Sequence, residues 1–200
     1  MAIFTIIGDV SEELRRQFTQ SLSDSTEIDF NVDPAASIVL GPPDAQESNN
    51  GTLASLYLFH IAPSAHGRNQ RPLPDPLDPS RFRRPPLPLR LQYLLTPLGS
   101  EEMINHALLG RALQHVHDSP FFETVSGTVI GDSFGGAPEE VRVSVEPLPI
   151  DQLMQLWSAF NSPFRLSIGL QVELVAIDSS LPPERVPRTE EAVVITGLMA

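Results

Sequence analysis

The side chains that could do chemistry in this sequence are three clustered histidines, one glycine-rich stretch, a single tryptophan and a concentrated set of arginines. Imidazoles can ligate metals or move protons near neutral pH. The spacing here serves neither use. His115 and His117 lie two apart in a segment that reads as helix, so they face roughly opposite sides. A metal site on one helix wants ligands three or four apart. His106 stands further back, and no carboxylate completes a set. The plain reading is polar-face histidines near a helix C-terminus, where a cation is welcome. Residues 131–136, GDSFGG, resemble a phosphate-binding loop but lack the Lys-Ser/Thr ending and open no helix, so they read as a turn. A Walker loop, a dinucleotide fingerprint and a nucleophile elbow are all missing. With no cysteine, thiol catalysis, disulfides and Cys-type zinc sites are excluded. Trp157 falls on an apolar helical stripe and reads as core rather than as a binding anchor. No catalytic, metal or cofactor residue is assigned, and an enzyme is not expected. A hydrolase with an unrecognised site is the remaining catalytic alternative, and His106, His115 and His117 are where it would be tested.

The arginines are more informative. All 13 basic residues are arginine. Six of them (Arg68, Arg71, Arg81, Arg83, Arg84 and Arg90) face only Asp75 and Asp78 over residues 68–90, a local charge of +4. The other seven stand against 23 acids, a local charge of −16. One reading is a solvated loop whose charges keep it soluble. The sharper one is a basic arm on an acidic body, attracted to the body of a neighbouring copy. Contacts between two different patches are heterologous and generate rings or filaments. The arginine fork pairs with carboxylates in two-pronged fashion, and proline lowers the ordering cost of docking. Arg81, Arg83 and Arg84 are the interface candidates in this arm. A second candidate is the uncharged stretch 192–199, with Val193, Val194, Ile195 and Leu198, which could pair in its own sheet or add a strand to a neighbour.

Mixed helices and strands must position these groups. Ile6, Ile7, Val10, Leu14, Phe18 and Leu22 predict a first helix, with Ile3 at its start and Gly8 inside it. A short strand over 3–7 with Asp9 capping a later helix is the alternative. Ile28, Phe30 and Val32 alternate as a half-buried strand would. Residues 53–61 are apolar on both faces, as in a covered central strand. Residues 63–88 hold eight of the 20 prolines, which bars a helix or central strand and predicts a long, stiff connection. Leu87, Leu89, Leu91, Tyr93 and Leu95 alternate over a strand stopped by Pro97 and Gly99. Ser100 is placed to cap the next helix, whose stripe is Ile104, Leu108, Leu109, Ala112, Leu113 and Val116. Val141, Val143 and Val145 suggest a short strand. Ile150, Leu153, Met154, Trp157 and Phe160 suggest a third helix. The alternation from Leu166 to Ala176 is the clearest strand of the chain.

The sum is an α/β fold (α+β being the alternative), a single mixed sheet flanked by about three helices. Residues 1–178 are expected to form the domain, with 63–88 as a loop within it and 179–200 as linker and apolar tail. Two hundred residues suit one domain. A net charge of −12 is the wrong balance for a general nucleic-acid binder, so none is expected. The longest apolar runs fall short of the roughly 18 residues a membrane helix needs. The N-terminus carries no secretory pattern. The chain is therefore expected in the cytoplasm, without direct membrane insertion.

Four stretches, taken in order, resemble a known family. They are TLASLYLFHI, PPLPLRLQYLLTPLG after the arginine-containing loop, HALLGRALQHVHDSPFF, and LPIDQLMQLWSAFNSPFRLSIGLQVELVAID. Order and spacing carry the likeness over most of residues 1–178. The Arg-Pro-Pro-Leu lead into a strand and the Leu-Trp helix are its most specific parts. The family is the cap, or tail-terminator, protein of contractile injection systems, phage-tail-like particles that fire a tube through a sheath. This resemblance implies a non-enzymatic structural subunit with no cofactor. Its partners would be further copies of itself, in a ring expected to be sixfold, and the tube and sheath subunits at the end distal to the baseplate. Assembly would take place in the cytoplasm, in a particle either released or membrane-attached. The competing non-enzymatic reading is an adaptor whose RPPLPLR segment, Arg84 to Arg90, docks in an aromatic groove.

Overall fold

The computed structural model describes residues 4–43, 51–64, 71–75, 77–122, 124–125, 128–129 and 141–185. Helix α1 spans Ile6–Ser23. Its stripe of Ile6, Val10, Leu14, Phe18 and Leu22 recurs every fourth residue and is buried throughout, which is why this segment is one helix. Thr5 occupies the N-cap, so Asp9 lies in the first turn instead of capping it.

Residues 28–32 do not form the expected strand. Their alternation survives: Phe30 is buried, while Ile28 and Val32 lean on the core. However, Asn31 adopts φ 50°, and its N–H donates to Asp29 Oδ1 at 2.9 Å. A left-handed residue in mid-run prevents a ladder. The strand that does form nearby is β1, Ile38–Leu40.

Then follow β2 (Ala54–Pro63), β3 (Leu73–Pro74), β4 (Arg81–Arg83), β5 (Leu87–Pro97) and α2 (Glu102–Asp118). After α2 come β6 (Phe121–Phe122), β7 (Thr124–Val125), β8 (Thr128–Val129) and β9 (Val141–Glu146). Helix α3 (Ile150–Phe160), β10 (Ile168–Ile177) and β11 (Glu184–Arg185) complete the described chain. The main sheet runs β1-β2-β5-β10-β9-β6. It is mixed, because β1 pairs parallel with β2 whereas the other neighbours are antiparallel. The fold is α/β.

Strand β5 is the axis of the molecule. Leu91, Tyr93 and Leu95 alternate along it to one face. There they join the stripe of α1 and Leu108, Leu109, Ala112 and Val116 of α2 in one core. Full burial of each such side chain contributes about 1.5–3 kcal/mol. The Tyr93 hydroxyl reaches Ser11 Oγ on α1 at 2.8 Å. Even the polar tip of the ring is thus satisfied inside, as a buried hydroxyl requires. Ser100 does not cap α2; Glu101 holds the N-cap position, and the Asn105 side chain donates back to Gly99 O at 3.0 Å. Leu113, expected on the buried stripe, is exposed.

The opposite face is shared. Helix α3 covers one end, with Phe160 edge-on to Tyr57 at 5.6 Å. Gly169 of β10 permits this approach: a Cβ there would meet Glu146 O at 2.6 Å and Leu148 Cγ at 2.8 Å. A glycine inside a strand often marks such a close approach. The other end is polar. His60 pairs with Gln92 at 2.8 Å, Gln92 stands opposite Gln171, and Gln171 donates to Glu173 at 3.1 Å. On this face strand β2 follows the same division: Ser55 is buried, Tyr57 is half-buried beneath Phe160, and His60 is exposed.

Candidate protein-interaction surfaces

The proline-rich segment between β2 and β5 is folded where the structure describes it, contrary to the expectation of a bare connection. Strands β3 and β4 form a hairpin, and β11 adds to it from the segment expected to be a plain linker. Two-residue strands and an edge position let Pro74 take part without costing a needed hydrogen bond. The turn joining β3 to β4 is fixed from within. Asp75 is buried, accepts the Leu77 N–H at 2.9 Å and takes Arg83 on both oxygens, at 3.2 and 3.3 Å. The Leu77 amide, then Arg83, hold its carboxyl below the usual range. Asp78 accepts the Ser80 hydroxyl at 2.6 Å and the Ser80 N–H at 3.0 Å, which lower its pKa as well.

Each arginine singled out in the arm thus has a partner inside the chain. Arg83 holds Asp75, Arg81 approaches Asp78 at 3.5 Å, and Arg84 approaches Glu184 at 3.6 Å. Arg83 is committed to the turn; Arg81 and Arg84 sit in loose, exposed pairs worth little individually. Arg90 lies on the polar end of the sheet, 3.5 Å from Glu173. Val193, Val194, Ile195 and Leu198 lie outside the described residues, as do Arg68 and the GDSFGG stretch.

The turn displays Leu77, which is 91% exposed. Sequence reasoning misses it. The signal is present as two Asp-Pro steps, Asp75-Pro76 and Asp78-Pro79, which initiate turns, in a segment whose charge and stiffness draw the attention.

A second surface lies on α3. Trp157 is buried as expected, packed edge-on against Phe160 and Phe164, but its indole N–H has no hydrogen-bond partner among the described residues. The rest of the stripe is not core. Ile150 and Met154 are 62% and 53% exposed, and Phe164 and Leu166, nearby in sequence, are exposed too. A spacing of four puts Ile150 and Met154 one above the other on the helix. The periodicity marks an amphipathic helix correctly; what the sequence could not carry is that the sheet covers only part of the apolar side.

The histidines do not converge. His106 and His117 are exposed, and His106 stands 3.8 Å from Glu102. His115, expected on the polar face, packs edge-on against Phe18 at 5.6 Å instead. Burial, then Arg111, push its imidazole below its ordinary pKa. It borders an open groove of about 370 Å³ with Arg16, Gln17 and Arg111, and its ring nitrogen faces Gln17 rather than a serine or threonine. Among the described residues no three metal-type side chains gather, and no helix is long and apolar enough to cross a membrane.

A body of α/β type agrees with the comparisons. Residues 9–191 match the Pvc16 N-terminal domain family model. The chain belongs to that family. A similar solved structure is the sheath/tube terminator, in its extended state, of PVC, an extracellular contractile injection system. It is 16% identical, with a TM-score of 0.56 over 98% of this chain and 67% of that one. Another is the tube-terminating cap of the anti-feeding prophage, 13% identical, with a TM-score of 0.53 over 81% of this chain and 55% of that one. No curated protein matches this sequence. The family that the sequence stretches resemble, caps of contractile injection systems, is of the same kind as these two solved structures.

Proposed function

We propose that this chain is a non-enzymatic cap subunit that closes into a ring, six-membered as the resemblance implies, and terminates the tube and sheath of a contractile injection particle. One observation carries the reading: family membership over residues 9–191, joined to the likeness of nearly the whole chain to a sheath/tube terminator. The mechanism is steric and thermodynamic. A terminator matches the last ring of subunits on one face and offers no matching face beyond it, so growth stops. Assembly takes place in the cytoplasm, and the work is done by surfaces rather than by a pocket.

Arg81 and Arg84 serve the interface because their internal pairs are weak enough to exchange for carboxylates of a neighbour; the segment with Val193, Val194, Ile195 and Leu198 is a further contact. Reversing both charges, R81E with R84E, weakens ring formation and makes it less salt-sensitive, as sedimentation at low and high salt will show. Rings unchanged at both ionic strengths would remove these arginines from the mechanism. The broader test is electron microscopy of the chain mixed with tube or sheath subunits. Rings seated on tube ends are expected; a chain that stays single in every mixture overturns the reading. The adaptor alternative is weakened, since Leu87–Arg90 of its RPPLPLR segment lies within β5, where Leu89 pairs with both β10 and β2.

A further inference from the structure

The two outward surfaces lie at opposite ends of the same strand. The β3–β4 hairpin feeds the start of β5, where Leu87 pairs with Ile177 of β10. Helix α3 sits over the row of Tyr57, Leu94 and Gly169, near the far end of β5. At the usual strand rise, the stretch from Leu87 to Leu94 spans about 23 Å.

We propose that the turn carrying Leu77 on one copy of this chain seats on the exposed apolar side of α3 in the next copy, head to tail. The inference rests on the ring reading above and names the surfaces that would build the ring. A contact between unlike patches at opposite ends of a molecule is the kind that closes rings when the rotation permits. The turn is pre-organised by the hydrogen bonds of Asp75 and Asp78. Seating Leu77 therefore loses little freedom. The receiving side, Ile150 and Met154 beside Trp157, is apolar and uncovered among the described residues. Charge favours the same pairing. Around the hairpin, Arg71, Arg81, Arg83, Arg84 and Arg185 outnumber Asp75, Asp78 and Glu184, a net of +2. Over residues 145–166, Glu146 and Asp151 outnumber Arg165, a net of −1. A single turn buries far less than the roughly 1,200–2,000 Å² of a stable pair, so each contact is weak alone and gains from closure.

The natural absence of cysteine supplies the test. The double variant L77C/M154C, oxidised at increasing protein concentration, should give a ladder of disulfide-linked chains that ends at a closed ring. Cross-linking should be at least about tenfold faster than for L77C/I61C, which uses an exposed apolar residue on β2. Fluorescence of Trp157, the single tryptophan, should change as wild-type chains associate, and L77D should abolish that change. Wild-type chains that sediment as oligomers while L77C/M154C links no faster than the control overturn this contact and leave the ring standing. Wild-type chains that remain monomeric at every concentration, together with no ladder from L77C/M154C, overturn both. If L77D still assembles but removal of residues 186–200 prevents it, the α3 face belongs to the C-terminal segment and the proposal fails.

Discussion

The core beneath α1 and α2 and the small β3-β4-β11 sheet are held by different forces. In the first, leucines, valines and aromatic rings lie out of water around Leu91, Tyr93 and Leu95. In the second there is almost no apolar burial. Two aspartates, their arginines and the prolines fix the chain. Burial of apolar area is insensitive to salt and mild pH, whereas exposed ion pairs are screened and titrate. The body therefore keeps its shape while the projecting turn answers to its surroundings.

Emptying part of the core should produce the largest effect. Phe18→Ala removes a ring that packs on His115 and lies fully inside. A loss of about 3–5 kcal/mol is expected from such truncations, read as a lower midpoint in urea unfolding. A loss under about 1 kcal/mol would show that the core is looser than described.

The next test separates the regions by pH. Burial drives the Tyr93 phenol up to about 12, the Ser11 bond partly opposing the shift. A folded pKa raised above the unfolded value of 10.0 gives stability that is complete below pH 10.0 and lost as pH climbs through about 12. Wild type should weaken over that interval. Tyr93→Phe should remove this part of the alkaline loss, while costing about 1 kcal/mol at neutral pH for the missing hydrogen bond. The turn fails at the opposite extreme. Asp75 and Asp78 have lowered pKa values, so their contribution is present above the ordinary carboxylate range and disappears as pH falls through the lowered values.

How much of this is readable in the sequence depends on length and period. Helices α1, α2 and α3 and strands β5, β9 and β10 announce themselves because each repeats its pattern over several turns or pairs. Strand β1 has three residues, too few for a period, and follows a turn at Pro34. The false strand at 28–32 has the right alternation and one residue, Asn31, in the wrong region of backbone space. The small sheet is hidden because its strands are two or three residues long and β11 lies about a hundred residues beyond its partner. Both interaction surfaces suffer from the same limit. Sequence marks which residues are apolar, but exposure is decided by what else the chain brings to that face.

Asp75→Asn should have the smallest global effect. It keeps an acceptor for the Leu77 amide but removes the charge that holds Arg83. The Asp75 amide donates to Arg81 O across the hairpin, and the Arg81 amide to Asp78 O within the turn. Hydrogen exchange at these two amides should quicken severalfold while the unfolding midpoint barely moves. Unchanged exchange would mean that the charge of Asp75 and its grip on Arg83 do not hold the turn.

Gly169 carries one last implication. Because Leu148 and the Glu146 carbonyl fill the space where its side chain would begin, the link from β9 into α3 lies flush with the sheet. A single methyl at that position would wedge the link outward and tilt the helix it leads into. The bearing of Ile150 and Met154 toward the outside world is thus governed from underneath, by a lone hydrogen atom facing inward on a strand they never touch in sequence.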